Sequence, residues 1–131
     1  MFIILGDDNS DRHIRPLVNY VFIAINVAVF FLLQGAGNNY RFTYAFSTVP
    51  QEIISGTDIV TQASIVTDPD TGTKMKIPGL EPTPFSVYLT LLTSMFMHGG
   101  LMHLFGNMLY LFIFGDNIEN RIGHRRYLIF Y

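Results

Sequence analysis

The feature that most restricts this chain is a run of seventeen residues, Leu17 to Leu33, broken only by Asn19 and Asn26. At 1.5 Å per residue a helix over this run reaches roughly 25 Å, close to the thickness of a bilayer's hydrocarbon core. It is expected to be a transmembrane helix. The two asparagines are seven residues apart and share a face, as suits packing between helices. A second apolar run, Leu101 to Phe114, reaches about Ile118 before charge accumulates at Asp116, Glu119, Arg121, Arg125 and Arg126. It reads as a second span, short unless it is extended at both ends or the bilayer thins around it. Tyr127 to Tyr131 opens a third apolar run, and five residues span nothing, so the 131 residues are expected to be part of a longer chain.

Composition supports the membrane assignment. Half of the residues are hydrophobic and 15% are aromatic, with a mean hydropathy of +0.34, and the charges cluster at a few places. A net charge of −2 and a pI near 6.0 leave no basic footprint, so no nucleic-acid partner is expected. The absence of cysteine removes disulfides, thiolate metal sites and thiol nucleophiles together.

The expected architecture is an all-α, polytopic membrane helical bundle, here reduced to two transmembrane helices with a long extramembrane first loop. Its expected parts are a cytoplasmic tail (1–16), a first span (17–34), a loop with an interfacial helix (35–100), a second span (101–118), a cytoplasmic loop (119–126) and the start of a third span (127–131). Within the loop, Thr48-Val49-Pro50-Gln51 has the spacing of a capping box, and Ser55-Gly56 suits a helix end. Asp68-Pro69-Asp70-Thr71-Gly72 between Ala63–Thr67 and Lys74–Ile77 predicts a small hairpin. Thr83-Pro84 predicts an N-cap and first position for a helix over Phe85–Met97, interrupted by His98-Gly99-Gly100. Arg12 and Arg15 precede the first run and Arg121, Arg125 and Arg126 follow the second, whereas the loop is acid-rich. The positive-inside bias then makes both flanks cytoplasmic, so the expected location is an integral, multi-pass membrane protein with its N-terminus inside.

The polar residues of Met97 to Tyr110 lie in an otherwise apolar helix-forming stretch. His103 and Asn107, four residues apart, share one helix face, while His98, five residues before His103, is expected to point elsewhere. Ionisable groups at membrane depth are expensive and usually serve a site or a helix contact. A zinc protease helix needs histidines at i and i+4 with a glutamate between them, which is absent, so no metal is expected. Ser94 and Thr93 suit local backbone bonding, and no Gly-x-Ser-Gly occurs. What His103 and Asn107 offer is hydrogen-bond donation toward a neighbouring helix, the role of oxyanion stabilisers in acyl transfer, or else a structural polar network.

Phe96 to Asn107 resembles the His-x4-His-x3-Asn motif of the second transmembrane helix of rhomboid intramembrane serine proteases, and Glu119-x-x-x-Gly123 is similar to the end of that helix. The resemblance implies an intramembrane serine endopeptidase that cleaves transmembrane protein substrates within the lipid bilayer through a Ser/His dyad. On it, His103 and Asn107 would stabilise the oxyanion and His98 would support them. It implies no cofactor and no metal. The family's Trp-Arg pair has no counterpart at Leu89 and Thr90, and the family's serine and base belong to later helices, so these residues alone should be inactive. The alternative the resemblance allows is a rhomboid-like pseudoprotease that binds or escorts membrane proteins. An unrelated transporter segment is a third.

Overall fold

The computed structural model describes Ser10 and residues 13–131, so the apolar N-terminal residues and Arg12 lie outside the described residues. The chain divides into two compact units, residues 1–28 with 98–131, and residues 29–97.

The first unit is helical. α1 (Leu17–Ala28) is followed by one π-turn, Val29–Leu33, which belongs to the second unit. α5 (Leu101–Tyr110) runs through another π-turn, Leu111–Gly115, into α6 (Asp116–Ile122), and α7 (His124–Phe130) follows after the single residue Gly123. The two apolar runs are thus helical but divided into segments. No helix among the described residues is by itself long and apolar enough to cross a membrane.

A buried polar knot joins these helices. α1 carries no acidic residue in its first turn, so its open N–H groups need an acceptor from elsewhere. Glu119, fully buried on α6, supplies it, accepting from Val18 N at 3.0 Å and Asn19 N at 2.8 Å. The carboxylate's negative charge also suits a helix N-terminus. His124 Nδ1 pairs with the same carboxylate, and Asn120 Oδ1 accepts from His13 N and Ile14 N at 2.9 and 3.1 Å. Asn19 then links three elements. Its Nδ2 donates to the Leu111 carbonyl in the π-turn at 2.8 Å, and its Oδ1 accepts from Tyr127 Oη at 2.8 Å.

Gly115 makes room for this knot, since a Cβ there would fall 2.6 Å from Tyr127 Oη and closer still to Asn19 Oδ1. Gly123 turns the chain between α6 and α7 at φ +83, ψ 161, a conformation open in practice only to glycine. One turn along α1 from Phe22, Asn26 is also fully buried and donates to Tyr131 Oη, while Phe22 stacks on the Tyr131 ring at 4.0 Å.

The second unit is the loop. α2 (Tyr40–Phe46) is capped by Asn39, whose Oδ1 accepts from Phe42 N at 3.2 Å. α3 (Pro50–Ser55) ends at Gly56 with φ +69, as the sequence predicts. The expected capping box is not formed. Pro50 takes the first helical position, which makes Val49 the cap residue, and Thr48 instead pairs its hydroxyl with that of Ser94 at 2.9 Å. Glu52, buried, accepts from Ile59 N at 2.9 Å.

The hairpin forms as β1 (Ser64–Thr67) and β2 (Lys74–Ile77), antiparallel, with Ser64 opposite Ile77 and Thr67 opposite Lys74. Asp68 Oδ1 holds the turn by accepting from Asp70 N at 2.8 Å and Thr71 N at 3.2 Å.

The helix expected over Phe85–Met97 is not one helix. A 3-10 turn over Val87–Leu89, the four-residue α4 (Thr90–Thr93) and a further 3-10 turn over Ser94–Phe96 replace it, and Ser86 stands at the N-terminal boundary in place of Thr83. The physical reason lies in the hydroxyls. Thr90 Oγ1 donates to Val87 O, a carbonyl that the helix would use, and Thr93 Oγ1 donates to Phe46 O at 2.7 Å, which ties this stretch to the end of α2. Thr83 Oγ1 is likewise committed to Ala45 O at 3.1 Å.

Two measurements follow from this packing. Glu119→Ala leaves the buried Asn19 N–H, the part-buried Val18 N–H and His124 without their acceptor, and should cost about 2–5 kcal/mol of unfolding free energy in detergent. Gly115→Ala should cost about 1–3 kcal/mol through overpacking against Asn19 and Tyr127, with thermal unfolding as the readout in both cases.

A third concerns the hairpin turn. The Asp70 and Thr71 amides hold the Asp68 carboxyl below its ordinary value of 3.8. A lowered native value means that this stabilisation is complete above the unfolded value and disappears as pH falls through the native one. Hairpin amide resonances should therefore be unchanged from neutral pH down to about 5 and should move toward disordered positions only as the acid limb below about 4 is entered. In Asp68→Ala they should already be shifted at neutral pH.

Candidate functional site

The three polar side chains singled out by sequence all belong to the first unit. Gly100 is extended, at φ 176 and ψ 171, and α5 begins at Leu101 with Leu104 N donating to Gly100 O at 3.0 Å. His103 and Asn107 therefore lie one helical turn apart on the same face of α5. Both are exposed, whereas Leu104 beside them is buried. Asn107 also marks a boundary in the helix: its carbonyl accepts from Leu111 N, where the π-turn begins. Such single π-turns are frequent beside functional positions.

His98 corrects the expectation drawn from helical spacing. It precedes the helix, separated from it by Gly99 and Gly100, so a rotation of 100° per residue does not apply to it. Its ring stands 5.4 Å from that of His103, with the planes at 70°, in an edge-to-face arrangement. A Cβ at Gly99 would lie in ordinary contact with His103, 3.9 Å from its Nδ1. His98 is 6% exposed. The result is one buried imidazole bracing one exposed imidazole, with an exposed carboxamide a turn further along.

The two exposed side chains are both hydrogen-bonding groups. An imidazole N–H and a carboxamide N–H from one helix face can meet a single oxygen that carries developing negative charge. Among the described residues no group of three or more His, Cys, Asp or Glu is placed to hold a metal ion. Thr93 and Ser94 donate to main-chain carbonyls, at Phe46 and Leu91 respectively, as backbone-bonding hydroxyls do.

The residues that hold this helix in place were less visible in the sequence. Asn19 and Glu119 could be noticed as polar groups beside apolar runs, and the Glu119 to Gly123 spacing was part of the resemblance. Nothing in the linear order signals that Glu119 caps a helix a hundred residues earlier, or that Gly115 is small because Asn19 passes against it.

Asn19, Asn26, Asp116 and Glu119 are inside together with Phe22, Leu104 and Ile113, while the large apolar side chains of Val21, Ile25, Met102, Phe105, Phe112 and Ile129 are exposed.

Comparison with known proteins adds one finding. No curated protein and no solved structure matches the chain. Residues 86–131, which contain His98, His103, Asn107, Glu119 and Gly123, match the family model of the Rhomboid domain.

Proposed function

We propose that the chain is the N-terminal part of a rhomboid-type intramembrane serine endopeptidase, with His103 and Asn107 as its oxyanion-stabilising pair and His98 as the residue that positions His103. The observation that carries this proposal is the shared exposed face of His103 and Asn107, braced by the His98 ring, inside the segment that matches the Rhomboid domain.

In the proposed reaction a serine hydroxyl attacks the scissile carbonyl of a transmembrane substrate while a general base takes its proton. The carbonyl π-electrons move onto oxygen, and the imidazole and carboxamide N–H groups donate to the resulting oxyanion. Collapse of that intermediate expels the amine, which the protonated base supplies with a proton. The serine and the base are proposed to come from sequence beyond Tyr131, and the reaction as proposed needs no cofactor or metal.

Membrane placement is part of the proposal. Buried polar groups under an apolar exterior are what a lipid solvent favours, since exposed leucine and phenylalanine cost nothing there and polar groups must be satisfied internally. The runs 17–34 and 101–118 are the proposed membrane segments, with the N-terminus and Arg121, Arg125 and Arg126 on the cytoplasmic side and the 35–100 loop outside.

Each half has its own test. In the full-length protein, His103→Ala and Asn107→Ala should each lower kcat by roughly 10²–10³, about 2.7–4 kcal/mol, with KM little changed and folded yield retained. A loss borne entirely by folded yield, with activity per folded molecule intact, would overturn the oxyanion assignment. A full-length protein that binds membrane substrates and cleaves none would favour the pseudoprotease. For topology, a reporter active only in the cytoplasm should work after Arg126, and one active only outside should work within residues 57–80. A cytoplasmic signal from that loop would overturn the two-span arrangement.

A further inference from the structure

The second unit contains a site outside the histidine face. Tyr40 and Tyr44, four residues apart on α2, line one wall of an open groove of about 800 Å³, with Arg41 beside them. Ala63, Lys76 and Pro78 at the base of the hairpin, and Glu81, also line the groove. The strand register explains this chemistry. Pairing of Ile65 with Lys76 and of Thr67 with Lys74 puts both lysines on one face of the ribbon, while Val66 and Met75 fall on the other.

The groove favours an anion. Its single carboxylate, Glu81, is already engaged by Arg41 Nε at 3.5 Å, and the Arg41 side chain is 86% exposed, so the guanidinium edge is accessible. Lys76 supplies a second positive charge, and the two tyrosine hydroxyls are further donors. A guanidinium fork beside an ammonium and phenolic donors matches the tetrahedral oxygens of a phosphate better than any apolar ligand. A volume of this order holds a polar headgroup and not merely an ion.

Exposed apolar side chains sit next to these cations, Tyr40 on α2 and Ile65 directly across the ribbon from Lys76. Tyrosine and a long cationic side chain beside aliphatic surface is the composition of a membrane interface.

We propose that this groove binds the phosphate of an anionic phospholipid headgroup. The lipid source rests on the membrane placement proposed above; the anion site rests on the groove alone.

The test uses the protein in neutral detergent micelles with its tyrosines replaced by 3-fluorotyrosine, the Tyr40 and Tyr44 fluorine resonances being assigned through Tyr→Phe variants. Short-chain phosphatidylglycerol should shift both resonances saturably, and phosphatidylcholine of the same chain length should not. Arg41→Gln/Lys76→Gln should weaken the apparent affinity about tenfold or more, the scale of losing a hydrogen bond to a charged group. Arg41→Lys/Lys76→Arg should restore most of it, and unchanged amide resonances of the 68–72 turn, away from both substituted positions, would show that the variants are folded.

Equal shifts with phosphatidylcholine, no shift at all, or full affinity in the glutamine variant would overturn the proposal. Inorganic phosphate alone reproducing the shift at equal concentration would overturn the lipid source, and a free glutamate side-chain analogue doing so would overturn the phosphate. The readout involves neither proteolysis nor bilayer crossing, so its failure and failure of the proposed protease are separately visible.

Discussion

The first unit depends on a single carboxylate. Glu119 is fully buried and accepts from two main-chain N–H groups at the start of α1 and from His124. Taking a charge out of water is costly, and the cost is offset only where several donors converge on it. Here those donors come from α1 and α7, so the carboxylate on α6 fixes where α1 begins relative to both while removing its open N–H groups from solvent competition. Asn19 extends the same logic one residue further, bonding the Leu111 carbonyl and the Tyr127 hydroxyl. Each partner is satisfied by another, which is what a polar network needs if it is to specify one arrangement.

This knot bears on the candidate site through the helix they share. Asn107 lies one turn before the π-turn at Leu111–Gly115, and that turn is where Asn19 and Gly115 meet. The apolar surroundings of α5 carry little packing in the first unit, since Leu101, Met102 and Phe105 are exposed beside His103 and Asn107. The position of the donor face is therefore set from its two ends: by the His98 ring against His103 at the start of α5 and by the Glu119–Asn19 knot beyond its end. Hydrogen-bond donors aimed at an oxyanion contribute to catalysis in proportion to how little they must reorganise. In the proposed protease, a face braced at both ends would meet that condition.

The second unit reaches its order by different means. It has no long helix, and its short elements are joined by hydroxyl-to-carbonyl bonds from Thr83, Thr90 and Thr93 and by aromatic contacts among Phe42, Phe46 and Phe85. Aromatic pairs of this kind add about 0.5–1.5 kcal/mol beyond their buried area. Its hairpin is closed at the turn by Asp68, which organises two amides, and at the base by Thr61, which exchanges hydrogen bonds with Leu80.

The sequence by itself determined the local features. The apolar runs became helices, Gly56 ended α3, the Asp68–Gly72 turn closed a hairpin, and the four-residue spacing of His103 and Asn107 put them on one face, because each of these rests on periodicity or on a few consecutive dihedral angles. The tertiary structure decided what depends on groups far apart in the chain. It capped α1 with Glu119, made Gly115 a contact point for Asn19 and Tyr127, drew Thr48 away from its expected cap to Ser94, and divided Phe85–Met97 into short turns through hydroxyls that found other carbonyls. It also brought His98 against His103, which helical spacing could not foresee because the two glycines between them take His98 out of the helix. Hydrogen-bonding groups carry no mark of which distant partner will satisfy them, and only the packed chain settles that choice.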